Sequence, residues 1–400
     1  MSKHTFVRLC GVLCFLLLST PTVPAFHSSH SSAWNIPARP VEDLPGLLQA
    51  KLDSLHAAGQ FPGATAGFAL ADGTTFGIAT GYADHSTKRR MAPTDLMLQG
   101  SVGKTYAAAI ALQLVKEGRL SLDGKIQKYL GAEPWFKRLP NGADITVRML
   151  MNHTSGLVRY EFNEKFLQDL KSDPDRFWKP EELVAYLLGT QAPFAAGKDW
   201  DYSDTNYIVL GMIIEKITGK KYYDLLRERI LTPLKLQNTL PSDSRTIRGL
   251  VQGYAGAGNP FTGTDEVIQN GKFAINPQFE WTGGGVASTT EDLARWGKML
   301  YEGMVVDSSL LPTMFEGVPA KLGPNTKYGL GVIIRQTQFG ISYGHSGYFP
   351  GYLTEMMYFP ELKLAIAVQV NTSEFRKLGR PLIRFIGEFV PIIRDQIMNK

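Results

Sequence analysis

Ser101-Val102-Gly103-Lys104 sets a nucleophile and a candidate base three residues apart. The apolar run from Tyr106 to Val115 predicts a helix that stops at Gly118. Residues three apart share one helical face, so the Lys104 ammonium can lie over the Ser101 hydroxyl. At the first turn, unpaired backbone N–H groups and the helix dipole favour developing negative charge. A serine hydroxyl is a poor nucleophile until a base takes its proton, and a lysine held in a dry site can do so. No other serine in the chain has a lysine three residues on. About one such spacing is expected by chance in a chain of this length, so its weight depends on the company it keeps.

Gly103-Lys104-Thr105 is also the tail of a phosphate-binding loop. The first glycine of that loop would fall at Leu98, and no run of β-branched residues forms a buried strand before it. Nucleotide binding is therefore not supported.

Two more stretches carry usable chemistry. Trp200-Asp201-Tyr202-Ser203-Asp204-Thr205-Asn206-Tyr207 precedes a predicted helix. Tyr202 can act as a general acid/base if a nearby cation lowers its pKa, and Lys104 would be that cation. The same residues read equally as a helix N-cap, Asp204 or Ser203, preceded by packed aromatics. Tyr343-Gly344-His345-Ser346-Gly347-Tyr348 runs off a predicted strand, where a small residue lets a ligand approach the backbone. His345 alone reads as a structural histidine. Ser346 nearly fits a Gly-x-Ser-x-Gly elbow, but Tyr348 stands at the last glycine and no βαβ pattern surrounds it. His153, in Asn152-His153-Thr154-Ser155-Gly156-Leu157, has no clustered histidine partner and reads as a turn bonded to its own backbone. Neither a metal nor a cofactor is expected.

These stretches need elements to hold them. Lys3 and Arg8, an apolar run from Cys10 to Leu18 and Thr22-Val23-Pro24-Ala25 have the form of a secretory signal over residues 1–25. The apolar run is short for a bilayer, so an exported product, periplasmic or extracellular, without a stable membrane anchor is expected. Both cysteines, Cys10 and Cys14, lie in that signal, which leaves the mature chain no disulfide, thiolate zinc site or cysteine nucleophile. A net charge of +5 and one basic cluster, Lys88-Arg89-Arg90, give nucleic-acid binding little support.

Residues 26–40 read as a flexible leader, followed by a helix from about Val41 to Ala58 and a hairpin over Ala64–Ala69 and Thr74–Thr80 around Ala71-Asp72-Gly73. Helical spacing marks Thr105–Glu117, Val147–Asn152, Pro180–Leu188, Tyr207–Ile217 and Tyr222–Leu231, and a last helix runs from Thr289 to Tyr301. Alternation then returns at Tyr328–Arg335, Ile341–Gly344, Leu353–Phe359 and Ala365–Val370, before an amphipathic helix over Pro381–Met398. Strands at both ends and helices between predict an α+β chain. It has an antiparallel sheet of about five strands, flanked by the N- and C-terminal helices (41–95 and 285–400), and an inserted all-helical domain (96–284).

Taken in order, the motifs resemble those of the serine β-lactamase and penicillin-recognising hydrolase family, in the branch of class C β-lactamases, D-alanyl-D-alanine carboxypeptidases and related esterases. Ser101-Val102-Gly103-Lys104 is similar to the family's nucleophile helix, and His153-Thr154-Ser155-Gly156-Leu157 to its His-Thr-Ser-Gly-Leu turn. Tyr202-Ser203-Asp204-Thr205-Asn206-Tyr207 resembles Tyr-Ser-Asn-Thr-Asn-Tyr. Gly284 to Trp296 resembles the family's Ser-Thr-x-x-Asp-Leu helix start, and His345-Ser346-Gly347 its Lys-Thr-Gly or His-Thr-Gly.

The resemblance implies a serine β-lactamase-like fold and attack by Ser101 on a carbonyl, with Lys104 and Tyr202 moving the proton. It implies an oxyanion held by the backbone N–H groups of Ser101 and Tyr348, and substrate contacts from Asp204, His345, Ser346 and Gly347. The implied substrate is a small molecule or a peptidoglycan-derived D-alanyl peptide, amide or ester. A β-lactam, a short-chain ester and a non-catalytic penicillin sensor remain as alternatives. Histidine at 345, and a carboxylate at 204 where the family carries an amide donor, point away from a dedicated β-lactamase.

Overall fold

Leu364 to Val370 is apolar at six of seven positions and buried at all seven, the pattern of a strand covered on both faces. The computed structural model, which describes residues 44–398, places it at the centre of a nine-stranded antiparallel sheet. In chain order the strands are β1 (Gly63–Ala69), β2 (Thr75–Asp84), β3 (Arg89–Arg90), β4 (Val318–Pro319), β5 (Thr326–Tyr328), β6 (Ile333–Thr337), β7 (Gly340–Phe349), β8 (Tyr352–Phe359) and β9 (Leu364–Val370). Their order across the sheet is β3-β2-β1-β9-β8-β7-β6-β5-β4. N- and C-terminal elements thus meet where β1 pairs with β9. The signal over 1–25 and the leader over 26–40 lie outside the described residues.

One face of the sheet packs Phe68, Ile366, Val368, Leu353 and Met357 against helices α1 (Leu44–Ala58) and α5 (Leu382–Met398). Leu48, Leu52 and Leu55 of α1, at helical spacing, are buried there. The opposite face packs Met356, Ala365 and Ala367 against the inserted segment and against α4 (Thr290–Tyr301). That helix presses directly on β1: a Cβ on Gly67 would lie 2.1 Å from the Thr290 carbonyl oxygen.

The sheet has nine strands rather than about five because its edges escape pattern reading. Arg89–Arg90 and Val318–Pro319 are two residues each, too short for alternation to register. The single strand expected over Tyr328–Arg335 is two strands, β5 and β6, folded back so that Tyr328 faces Ile333. Gly331, at φ 75°, takes a backbone conformation that suits glycine in the turn between them.

Helices dominate the insertion as far as Leu231, among them α2 (Lys104–Lys116) and α3 (Thr205–Thr218), which ends at Gly219 in the left-handed region. A helix over Glu164–Ser172 was not foreseen. Beyond Thr232 the chain runs through loops and strands of two or three residues rather than helices throughout. The insertion is pinned where it starts and ends. Met97 and Leu98 pair with Ser288 and Ala287, so the outgoing and returning chain run side by side. Ser101 and Gly284 are brought together by that pairing.

Gly67→Ala tests the contact between sheet and α4. A methyl group there meets backbone that cannot swing away, so a loss of about 1–3 kcal/mol is expected. Urea unfolding measures it, and an unchanged midpoint would show that α4 does not bear on β1 this closely.

Candidate active site

Ser101 sits in a 3-10 turn, Gly100–Gly103, that leads into α2. The turn is wedged between two backbone segments. A Cβ on Gly347 of β7 would lie 1.9 Å from the Gln99 carbonyl oxygen, and one on Gly100 would lie 2.8 Å from the Tyr348 nitrogen. The close approach that glycine at 347 permits is therefore to the nucleophile turn itself. It also brings the Tyr348 peptide beside the residue preceding Ser101. Further along α2, Tyr106 stacks on Trp296 of α4 at 4.2 Å between ring centroids. The Trp296 indole N–H donates to Thr105 Oγ1 at 2.8 Å. The helix is thereby tied to the sheet.

Lys104 is wholly buried, and its ammonium uses all three protons. One goes to Ser101 Oγ at 3.0 Å, one to the Gly283 carbonyl at 2.6 Å and one to Asp204 Oδ1. Burial opposes the charge, but Asp204 and then Tyr202 and Glu280 outweigh it and hold the lysine above its usual range. Because Lys104 donates to the serine oxygen, the serine's own proton is free to point elsewhere. The Tyr202 phenol lies beside both groups, buried and without a well-aligned protein partner. Lys104 lies 5.0 Å from the Tyr202 ring centroid.

The structure corrects one electrostatic expectation. Lys104 does favour the Tyr202 phenolate, but burial acts first and Asp204 opposes, so the phenol is pushed up to about 12. Asp204 occupies the N-cap position of α3 without capping it. Its Oδ2 instead accepts from Arg159 at 3.0 Å while Oδ1 meets Lys104. These two cations outweigh burial and hold the carboxyl far below the carboxylate range. Both oxygens are engaged internally.

His345 is buried with both ring nitrogens occupied. Nε2 lies 2.8 Å from the Tyr328 hydroxyl and Nδ1 lies 2.7 Å from the Ser346 carbonyl. Burial, then repulsion by Lys104, pulls its pKa down to about 3, so the ring is neutral, with Nδ1 donating and Nε2 accepting. Ser346 Oγ donates to Glu355 at 2.7 Å and accepts from Arg335 at 2.8 Å, and those two form an ion pair. The one base it touches, Glu355, is closed by its ion pair with Arg335, which argues against Ser346 as a nucleophile.

Sequence reading missed several groups around this centre. The turn around His153 does bond itself, through the His153 N–H to the Leu150 carbonyl and the Leu157 N–H to Ser155 Oγ, but the imidazole reaches outside it. Its Nδ1 takes the Ser203 N–H at 3.3 Å and faces the Asn206 amide at 3.0 Å, and its ring packs 4.2 Å from that of Tyr202. Its φ of 63° was not visible in the sequence, but the turn residues around it were. Arg159 and Glu161 sit in a short turn bonded to α3 through Thr205. Tyr160 reaches across to the Phe279 carbonyl at 3.0 Å. That contact anchors the returning segment Pro277–Gly283, whose Trp281 holds a strained φ of 40° just before the Gly283 carbonyl used by Lys104. Glu280, a charge inside the apolar context of Phe279 and Trp281, was the one readable hint of this segment.

A serine on a 3-10 turn, bonded to a buried lysine with a phenol beside both, between an antiparallel sheet and a largely helical insertion, has the chemistry a serine hydrolase needs. The beta-lactamase family model matches residues 48–389, and the chain belongs to that family. It is similar to a penicillin-binding protein of Bacillus subtilis, 25% identical over 76% of this chain and 67% of that protein. It also resembles the teichoic acid D-alanine hydrolase of Staphylococcus aureus, 30% identical over 44% of this chain but only 40% of that protein. The structure of D-amino acid amidase from Ochrobactrum anthropi SV3 with D-phenylalanine superposes with a TM-score of 0.73 at 27% identity, covering 90% of this chain and 100% of that one.

Glu161 yields a stability prediction. Burial first, and Asp204 beside it, raise its carboxyl to about 8 against the pull of Arg159. The folded chain therefore keeps a proton that an unfolded glutamate releases near about 4.3. Its contribution is complete below that value and is lost as pH rises through about 8. Urea midpoints across this window should fall less steeply in Glu161→Gln than in the parent. Equal slopes would place the ionised form of Glu161 in the resting fold.

Proposed function

We propose that this serine hydrolase works through an acyl-enzyme on Ser101, on amides or esters of D-amino acids. The carrying observation is Lys104 Nζ at 3.0 Å from Ser101 Oγ, with the Tyr202 phenol beside both. Lys104 stays charged, so it orients Ser101 and stabilises a Tyr202 phenolate rather than serving as the resting base. The phenolate takes the Ser101 proton as Oγ bonds to the substrate carbonyl carbon. Backbone N–H groups of Ser101 and Tyr348 receive the oxyanion. Tyr202 then protonates the departing amine or alcohol as its bond to carbon breaks. Water repeats the sequence on the ester, giving its proton to Tyr202 and its oxygen to the acyl carbon, and Ser101 is restored.

The activities named for the relatives, a D-amino acid amidase and a teichoic acid D-alanine hydrolase, support the D-amino acyl class. The site's charges support an amide or ester over a carboxy-terminal peptide or a penicillin, both of which carry a carboxylate. Lys104 is paired with Asp204, Arg159 with Asp204 and Glu161, and Arg335 with Glu355. Asp204, His345 and Ser346 then act as supports of the site more than as substrate contacts. The charged, apolar and small-residue pattern of residues 1–25 supports export to the periplasm or the medium.

Intact-mass analysis after a fluorophosphonate should show one adduct, on the Ser101 peptide, and a mature chain starting near Phe26. D-alanine p-nitroanilide and nitrophenyl acetate should be turned over and nitrocefin poorly, and Ser101→Ala should abolish all three. An adduct elsewhere, with Ser101→Ala active, would overturn the proposal.

Because the phenol must ionise first, the rate should still rise on the alkaline side. Asp204→Asn removes a charge that disfavours the phenolate, so the rise should move to lower pH. It also strips Lys104 of its carboxylate, at about 3–5 kcal/mol of stability. A pH profile of kcat/KM and a urea titration read the two effects, and an unmoved profile would show that Tyr202 does not carry the proton.

A further inference from the structure

Glu280 is a carboxylic acid with no counter-ion. Two cations, Lys104 and Arg159, face three carboxyls, Asp204, Glu161 and Glu280. Both cations are engaged by Asp204, Arg159 also touches Glu161, and neither pairs with Glu280. Its Oε2 is buried without a hydrogen-bond partner, although the residue as a whole is only half-buried and keeps contact with solvent. Glu161, by contrast, keeps its proton against the Asp204 carboxylate and is satisfied there. Held neutral, a carboxyl such as Glu280 leaves a buried polar atom unsatisfied in the free protein, and a cation that arrives with the substrate can draw off its proton and satisfy it.

The position of Glu280 fits that task. Its carboxyl fills the space a side chain at 284 would occupy: a Cβ on Gly284 would lie 2.1 Å from Glu280 Oε2 and 2.8 Å from the Gly100 carbonyl carbon. The next atom along the chain is the Ser101 nitrogen. The carboxyl therefore stands beside the nucleophile turn. The α-ammonium of an aminoacyl substrate is held one carbon from the carbonyl that Ser101 attacks, so it must come to rest close to this turn.

We propose that Glu280 receives the free α-ammonium group of the substrate's acyl part, so that amides and esters of unblocked amino acids are preferred over N-acylated ones. This rests on the Ser101 acyl-enzyme reading. On binding, the ammonium supplies the missing counter-charge and Glu280 gives up its proton to solvent. Burial, with the negative charge of Asp204 beside it, holds that proton well above the usual carboxyl range in the free protein. Lys104 and Arg159 pull the other way but are already committed to Asp204 and Glu161.

The test compares D-alanine p-nitroanilide with N-acetyl-D-alanine p-nitroanilide near neutral pH, where the α-amino group is largely protonated. The parent should favour the unblocked substrate. Glu280→Gln should lose about tenfold or more on that substrate, mainly in KM, and change little on the acetylated one. A parent that prefers the acetylated substrate, or an equal loss on both, would overturn the proposal. So would a Glu161→Gln variant that shows the selective loss while Glu280→Gln does not. Should Glu280→Gln not fold, the parent answers alone. D-alaninol should inhibit nitrophenyl acetate hydrolysis competitively and more strongly than N-acetyl-D-alaninol, and equal inhibition counts against an ammonium receptor. Nitrophenyl acetate hydrolysis that survives Ser101→Ala would instead show that the acyl-enzyme reading itself has failed.

Discussion

An ammonium group sealed from water needs three acceptors, and Lys104 finds them on three separate parts of the chain. Burying such a charge costs several kcal/mol unless geometry and partners are nearly ideal. Ser101 precedes α2 by one turn, Asp204 opens α3 and Gly283 lies on the return from the insertion. Each of these segments therefore has to be fixed to within a hydrogen bond of the others. Much of the surrounding structure can be understood as meeting that demand. The paired strands Met97–Leu98 and Val286–Ser288 align the first and third segments, and the Thr205 and Tyr160 contacts tie the second to the third.

Asp204 then transmits the constraint outward. A carboxylate has more acceptor capacity than one ammonium fills, and Arg159 takes the remainder. Arg159 in turn draws Glu161 into the interior, and with it a carboxyl that cannot ionise freely while Asp204 is charged beside it. One residue change relative to the family motif, carboxylate for amide at 204, is thus compatible with a whole shell of compensating charge. The aromatic rings of Tyr202, His153, Tyr207 and Tyr328 close around the cation and keep water away, which strengthens each of these interactions.

Legibility in the sequence follows the range of the interactions. Ser101 and Lys104 are neighbours on one helical start, and their meeting is a matter of helix period alone. The terminal helices and the central strands β1, β7, β8 and β9 are long enough for apolar periodicity to mark them, though β7 runs to Phe349, well past the expected Gly344. Tyr202 was read beside Lys104 from the chemistry of a phenol and His345 joined the centre through motif resemblance, and the structure sets the Tyr202 ring near both. Nothing local tells that His345 will be clasped by Tyr328, or that Tyr202 will be dried until its phenol resists ionisation. Arg159, Glu161 and Glu280 were invisible as a group because 119 residues separate Tyr160 from the Phe279 carbonyl that joins their segments. The short edge strands failed for a different reason, since two residues cannot display a period of two.

The same charge logic explains why a neutral imidazole suits position 345. A lysine there would set a second ammonium toward Lys104, whose own charge is held above its usual range by Asp204. Repulsion between the two would fall on whichever was less well paired, and both oxygens of Asp204 are already engaged, one by Lys104 and one by Arg159. His345 escapes the conflict by losing its proton, which Lys104 and burial both promote, and it is then fixed by one donor and one acceptor. A neutral ring cannot attract a substrate carboxylate, and the nearby guanidinium of Arg335 is already closed by Glu355. Holding Lys104 as a permanent cation therefore removes anion recognition from this edge of the site. The carboxyl left without a counter-ion in this cluster is Glu280, which burial keeps protonated.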